Sequence, residues 1–134
     1  MREINIKQTT FYALQIIRRI DLEDENIVTS KLIAEKENLS QGVVLKLLRE
    51  MVHTGIVFAH QGRGAVSGGF SMAKTVDEIT LNDIVDALEE VNICKNLTNE
   101  DKENESVLFR KCIQINEYLK EELSKYTIRD LFEL

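Results

Sequence analysis

The stretch from Thr29 to Met72 constrains the fold more than any other part of this 134-residue chain. Two short segments with helical hydrophobic spacing meet at a tight turn over residues 37–39, and the second segment runs into Gly55. A short apolar run, a glycine-rich tip and a second short run follow, which is the pattern of a β-hairpin. The order helix, turn, helix, hairpin predicts a helix-turn-helix followed by a two-stranded wing.

The second helix of this pair, predicted over residues 40–54, has one apolar side whose residues recur at three- and four-residue spacing. That side comprises Val44, Leu47, Leu48 and Met51. The opposite side is small, polar and partly basic, and comprises Gln41, Gly42, Val43, Lys46, Arg49 and Glu50. A helix with a buried back and such a front suits the major groove of DNA.

Charge is unevenly distributed along the chain, whose net charge is −6. Residues 1–76 carry ten Lys or Arg and eight Asp or Glu, a net of +2, whereas residues 77–134 carry seven and fifteen, a net of −8. The acidic side chains of residues 77–134 lower the non-specific affinity of the protein for DNA phosphates, but they leave a local basic face on residues 1–76 in place. We predict a winged helix-turn-helix DNA-binding domain over residues 1–76, and a linker helix and dimerisation helix over residues 77–134.

Helix starts and the hairpin add candidate contacts to DNA. Thr29 and Ser40 are predicted N-caps, and the helix starts that they cap could also hold phosphates, although capping alone is the simpler interpretation. Arg63 at the glycine-rich tip is placed to enter the minor groove, and His60 to meet a phosphate. A mobile surface hairpin, or a glycine loop around a phosphate ligand, is the alternative. The predicted DNA-binding set is Thr29, Ser30, Ser40, Gln41, Gly42, Val43, Lys46, His60 and Arg63.

The C-terminal half contains a helical pattern, over residues 106–125, that cannot bury its apolar stripe alone. Capping boxes at residues 80–83 and 127–130 predict helix starts on either side of it. The stripe packs on the domain or on the same helix of a second chain. We predict one long C-terminal helix, and the family resemblance given below implies that it forms a homodimer through Leu108, Cys112, Ile115, Leu119 and Leu123.

Composition argues against several classes of protein. No apolar run approaches the ~20 residues of a membrane span, and the N-terminus lacks an apolar signal core. Two cysteines do not make a disulfide framework, so a cytoplasmic protein is predicted. No nucleophile–base–acid set stands out, and two histidines are too few for a zinc site with these cysteines, so neither an enzyme nor a metal site is predicted.

The chain resembles the Rrf-two (Rrf2) family of bacterial winged helix-turn-helix transcriptional regulators, of the IscR, NsrR and CymR type. The resemblance rests on residues 12–14, 39–57, the wing glycines, residues 78–89 and residues 127–131. Three residues separate Gly64 and Gly68 where the family usually has two. The resemblance implies a mainly α fold and a homodimer, expected to be a repressor, that binds palindromic double-stranded operator DNA.

The resemblance also bears on cofactors and partners. Many members hold an iron–sulfur cluster through three cysteines, and the matching positions here are Cys94, Glu100 and Ser106. One thiolate with a carboxylate and a hydroxyl is a poor cluster site, so no cofactor is predicted. The cysteine-metabolism branch of the family also lacks a cluster and responds through an enzyme, which makes cysteine synthase a candidate partner.

Two alternatives to a cluster-free repressor stay open. The first is a thiol- or metal-responsive regulator that uses Cys94 as its sensor, although an incidental structural cysteine is the simpler interpretation of that residue. The second is a winged-helix protein-interaction module that no longer binds DNA. The acidic C-terminal half and the small residues Gly42 and Val43 support this alternative.

Overall fold

The structure is a computed structural model that describes residues 8–24, 26–62, 68–88 and 107–132. Its elements in chain order are α1 (Gln8–Leu22), α2 (Ser30–Glu37), α3 (Gln41–His53), β1 (Val57–His60), β2 (Gly69–Met72), α4 (Leu81–Leu88), α5 (Val107–Leu123) and α6 (Ile128–Phe132). This order confirms the predicted mainly α fold with a helix-turn-helix, a two-stranded hairpin and a long C-terminal helix. Across the described ranges, no helix has both the length and the apolar character needed to cross a membrane.

Helices α2 and α3 begin at the two predicted caps. The Oγ1 atom of Thr29 accepts a hydrogen bond from the Leu32 amide at 3.1 Å, and the Oγ atom of Ser40 accepts one from the Val43 amide at 3.2 Å. These bonds satisfy amides that have no partner within their own helix. Between the helices, Asn38 adopts the left-handed region with φ of 56°, which turns the chain from α2 into α3.

The hairpin is joined to the helical part by one further backbone pairing. Strands β1 and β2 are antiparallel, with Val57 opposite Met72 and His60 opposite Gly69. Val28, which precedes α2, forms an isolated bridge to Phe70, and each amide donates to the other's carbonyl oxygen at 2.8 Å. The sequence predicts strands over residues 56–60 and 70–73, and both observed strands lie within one residue of these bounds. The extra bridge fixes the wing against the start of the helix-turn-helix.

One cluster of buried aliphatic side chains forms the core. It includes Ile16 of α1, Leu48 of α3, Ile84 of α4 and Ile128 of α6. All four residues predicted for the back of α3 are at most 2% exposed. Because α4 and α6 come from the C-terminal half, this core crosses the boundary predicted after residue 76. The division into residues 1–76 and 77–134 stays a prediction about roles.

Both predicted capping boxes are present, and they lie side by side. Thr80 and Asp83 exchange backbone-to-side-chain hydrogen bonds of 2.9 and 3.2 Å. Thr127 and Asp130 exchange the same pair of bonds at 3.0 and 3.3 Å. A β-bridge joins Thr80 to Thr127, so the start of α6 is held against the start of α4.

The acidic segment after α1 differs from its prediction for a tertiary reason. The sequence predicts a loop from residue 21, but α1 continues to Leu22. Glu23 then accepts hydrogen bonds from Lys36 Nζ at 2.8 Å and from Arg19 at 3.4 Å. Arg19, predicted to face solvent, instead spans to Glu37 of α2, with 3.3 Å between Nε and Oε1. Ion pairs between α1 and α2 therefore set the end of α1.

Candidate nucleic-acid interface

The face of α3 turned away from the core carries Gly42, Lys46, Arg49 and His53. These residues follow one another at steps of four, three and four, which place them along one side of a helix. All four are exposed, and the buried residues of α3 lie on the opposite side. We call these four residues the exposed line of α3. Within the described residues, neither Lys46 nor Arg49 forms a salt bridge, so both charges are available to a ligand.

Three basic residues of α1 and α2, Arg18, Arg19 and Lys36, are paired with carboxylates of the same chain. Arg18 lies 3.7 Å from Glu37, and Lys36 Nζ lies 2.8 Å from Glu23 Oε1. The Lys36 ammonium that donates to Glu23 holds the pKa of that carboxyl below its ordinary value, with Arg19 adding to the effect. Within the described part of α2 and α3, positive charge without a salt-bridge partner is left at Lys31 and on the exposed line of α3.

The first turn of α3 is open to solvent and is tied to α2. Gln41 Nε2 donates to Ser30 Oγ at 3.3 Å, which connects the starts of the two helices. A Cβ atom added at Gly42 would meet nothing within 4 Å, and Val43 is 36% exposed. The predicted residues of α2 and α3 are thus brought together at one end of the helix-turn-helix. The capping Ser40 oxygen already accepts from its own helix, but a hydroxyl keeps its hydrogen to donate to a phosphate.

The wing presents an aromatic and an imidazole group on one face. His60 Nε2 lies 2.7 Å from Ser71 Oγ, and its ring centroid is 5.0 Å from that of Phe58, which is 57% exposed. His60 is half-buried, and the Ser71 contact holds its ring at the end of β1 that leads into the tip of the wing. Arg63 lies outside the described residues, and its contact with the minor groove stays a prediction.

Arg49, which the sequence already places on the front of α3, and His53 extend the exposed line beyond the predicted DNA-binding set. Both continue the line that starts at Gly42 and Lys46, and both are exposed. The helical spacing that predicts the buried back of α3 also predicts this line, because it fixes the two sides together. The spacing does not show which charged side chains are already paired. In the structure Lys36 pairs with Glu23, whereas Lys46 and Arg49 have no salt-bridge partner among the described residues.

Helix α5 provides the second exposed surface. It contains no buried residue within the described part of the chain. Leu108 is 73% exposed and Ile115 is 47% exposed, and Cys112 is half-buried. Leu119 and Leu123 are half-buried and line a small cleft against α4 of the same chain. The predicted stripe is therefore divided: its C-terminal part meets α4, and its N-terminal part is left open.

A helix-turn-helix with an unpaired basic face, a two-stranded wing and a long C-terminal helix is a combination found among known proteins. The family model of Rrf2, described as iron-dependent transcriptional regulators, matches residues 6–134. The chain belongs to the Rrf2 family. It is a transcriptional regulator with a DNA-binding winged-helix fold, and not an enzyme.

Individual proteins and solved structures are also similar to this chain. A protein of Aquifex aeolicus (strain VF5) described as an HTH-type transcriptional regulator is 24% identical over 132 residues, which cover 94% of this chain and 90% of that protein. The structure is similar to that of CymR, the global cysteine regulator of B. subtilis, with 27% identity, a TM-score of 0.65 and 96% of each chain covered. IscR of T. potens shares the fold, with 23% identity, a TM-score of 0.66 and coverage of 97% of this chain and 87% of that one.

The description of the Rrf2 family names iron, and the resemblance indicates which positions of this chain would hold it. By that resemblance the positions are Cys94, Glu100 and Ser106, and they lie outside the described residues. A cluster is held by several thiolates, so a set with one thiol, one carboxyl and one hydroxyl does not fit it. Within the described ranges, no group of three or more His, Cys, Asp or Glu side chains is placed to hold a metal ion.

Proposed function

We propose that this Rrf2 protein is a homodimeric repressor that binds a palindromic operator and works without an iron–sulfur cluster. One observation carries the proposal: the exposed line of α3 joins a side-chain-free position, Gly42, to two basic residues without salt-bridge partners among the described residues, Lys46 and Arg49. The opposite side of α3 is buried, which anchors this edge. A recognition helix with that shape enters the major groove with its first turns against the bases.

The other predicted residues have supporting roles in this proposal. The starts of α2 and α3, with Thr29, Ser30 and Ser40, face the phosphates on either side of the groove, because helix starts and hydroxyls donate to phosphate oxygens. The Gln41–Ser30 hydrogen bond of 3.3 Å keeps the two starts in register. The wing places His60 near the backbone and carries Arg63 toward the minor groove. In this arrangement residues 1–76 read DNA.

Dimerisation is assigned to α5 in residues 77–134. A two-fold operator requires two recognition helices about 34–36 Å apart, or a multiple of that distance. The open N-terminal part of the α5 stripe, with Leu108 and Ile115, is an apolar surface that a second copy of α5 would cover. Cys112 lies on the same side and packs as a small apolar residue. The bound dimer would repress by covering promoter DNA.

The cluster-free part of the proposal is supported by the chemistry of the three matching positions. A single thiolate at Cys94 does not replace three. Regulation would then depend on a signal that reaches the C-terminal half by another route. A regulatory enzyme such as cysteine synthase stays a prediction for that role.

Selection of bound duplexes from a random pool, with protein purified anaerobically, tests the proposal directly. We expect one palindromic sequence to be enriched and to bind with strong dependence on salt. Replacing Lys46 and Arg49 together by Ala should weaken operator binding by about 30-fold or more, since each contact contributes about 1–3 kcal/mol. The matched control replaces Arg110 and Lys120 of α5 by Ala, which removes the same charge from an exposed helix elsewhere.

Three results would contradict the proposal in different places. If no sequence is enriched, the protein is not an operator-binding regulator. If the two double variants lose affinity equally, the charge of the whole chain matters and the exposed line of α3 is not the reading surface. If the anaerobic protein contains iron and absorbs visible light, the cluster-free part of the proposal is wrong.

A further inference from the structure

Gly42 has no role in the folded chain that would require glycine. It is the second residue of α3 and does not use the left-handed backbone region, which Gly55 does with φ of 81°. A Cβ atom at Gly42 would meet nothing within 4 Å. Gly69 differs, since a Cβ there would come within 2.7 Å of the Val28 carbonyl oxygen. The fold therefore explains Gly55 and Gly69, but it leaves Gly42 unexplained.

Glycine at a helical position lowers stability relative to alanine, because it loses more backbone freedom on folding. The chain therefore carries a stability cost at Gly42 that the free protein does not need. Gly42 is also the first residue of the exposed line, in the turn that a recognition helix places deepest in the groove. Glycine is favoured where a backbone must come very close to a ligand. These facts together point to contact with DNA.

The neighbours of Gly42 indicate what kind of contact the first turn makes. Gln41 is turned toward α2 by its hydrogen bond of 3.3 Å to Ser30. Val43 is 36% exposed and presents methyl groups beside Gly42. In the major groove, the thymine C5-methyl is the group that an apolar side chain recognises. Charge enters the line only one turn later, at Lys46.

We propose that Gly42 lets the backbone of α3 rest against the base edges of the major groove, and that Val43 beside it contacts a thymine methyl group. This inference rests on the proposed function, because it concerns how the operator is read. The first turn of α3 then selects DNA by close fit and apolar contact, while Lys46 and Arg49 supply charge-assisted contacts further along the helix.

The first experiment replaces Gly42 by Ala and measures stability, operator binding and binding to an unrelated duplex. We expect the melting temperature to rise by about 1–3 °C, because alanine is the better helix former. Operator affinity should fall about tenfold or more, since the added methyl group holds the helix away from the bases. Affinity for the unrelated duplex should stay within about twofold, because phosphate contacts carry it. An unchanged operator affinity would overturn the close-approach role of Gly42.

The second experiment replaces each thymine of the selected half-site by deoxyuridine, which lacks the methyl group. Wild-type protein should lose about fourfold in affinity at one position, the effect of one buried methyl group. Val43→Ala should bind the thymine operator more weakly and show no further loss at that position. If every thymine tolerates the change, the Val43 contact is refuted. If selection enriches no operator at all, the proposed function fails together with this inference, whereas an operator bound equally by Gly42→Ala overturns the inference alone.

Discussion

Gly69 joins the wing to the helix-turn-helix, and its replacement by alanine has a calculable effect. A Cβ atom at this position would stand 2.6 Å from Ile27 Cγ2 and 2.7 Å from the Val28 carbonyl oxygen. The Ile27 side chain can rotate away. The Val28 oxygen cannot, because it accepts the Phe70 amide at 2.8 Å in the bridge that ties β2 to the segment before α2. Gly69→Ala must therefore separate β2 from Val28.

The size of this effect follows from the hydrogen bonds that break and the apolar surface that becomes exposed. The bridge consists of two backbone hydrogen bonds of 2.8 Å, each worth about 1 kcal/mol net. Val28 is 1% exposed, and full burial of such a side chain contributes about 1.5–3 kcal/mol, of which part is lost when the segment moves. Together these terms lower the free energy of unfolding by about 2–4 kcal/mol, a large fraction of an ordinary domain's stability.

Urea unfolding followed by circular dichroism measures this loss. The matched control is Gly42→Ala, which makes the same chemical change where a Cβ meets nothing within 4 Å and should cost no stability. A loss below about 0.5 kcal/mol for Gly69→Ala, the size of an ordinary surface substitution, would refute the argument that this glycine is fixed by backbone contact.

Two further predictions concern dimerisation and pH. Replacing Ile115 or Leu108 by Asp puts a charge on the open surface of α5, so light scattering should give the mass of one chain, 15.4 kDa, instead of twice that value. The control Gln114→Asp should leave the dimer intact. A dimer that survives both the Ile115 and the Leu108 change would place the pairing surface elsewhere. Because Lys36 lowers the pKa of Glu23, their pair stabilises the fold above the ordinary value of about 4.5 and is lost as pH falls through the lowered pKa. Glu23→Gln should therefore reduce the urea midpoint near pH 7, and this effect should become smaller as the pH falls below the ordinary value of about 4.5. An effect that does not change with pH would contradict this assignment.

Short-range signals in the sequence predict the helix starts correctly. A cap requires one hydroxyl or carboxyl and an amide three residues away, so four consecutive residues contain the whole signal. This holds for Thr29 and Ser40 and for the boxes that start at Thr80 and Thr127. The buried back of α3 is predicted for a related reason, since a helix that packs on one core shows its period directly.

The sequence does not predict which distant segments contact each other, and these contacts decide how α5 packs and which charges are paired. The apolar stripe of α5 predicts a packed side but not its partner, and the structure divides it between α4, near Leu119 and Leu123, and the open surface near Leu108. The same limit applies to the site. The sequence does not distinguish Lys36 from Lys46, and only the 2.8 Å distance from Lys36 Nζ to Glu23 Oε1 shows that the charge of Lys36 is already paired.

The core packs α3, the proposed reading helix, together with α4 and α6, and α6 follows the proposed dimer helix α5 in the chain. Ile84 of α4 and Ile128 of α6 lie in the same cluster as Leu48 of α3. The Leu81 amide donates to the Tyr126 carbonyl at 2.9 Å, which holds the segment after α5 against the start of α4. Two chains paired through α5 would therefore keep their α3 helices at a separation set by packed side chains. Because such a core is close-packed, a signal in the C-terminal half alters half-site spacing only by moving α4 or α6 against α3. Regulation in this protein would then be a change of packing between these helices, and substitutions at their contacts should change the preferred spacing of the operator halves.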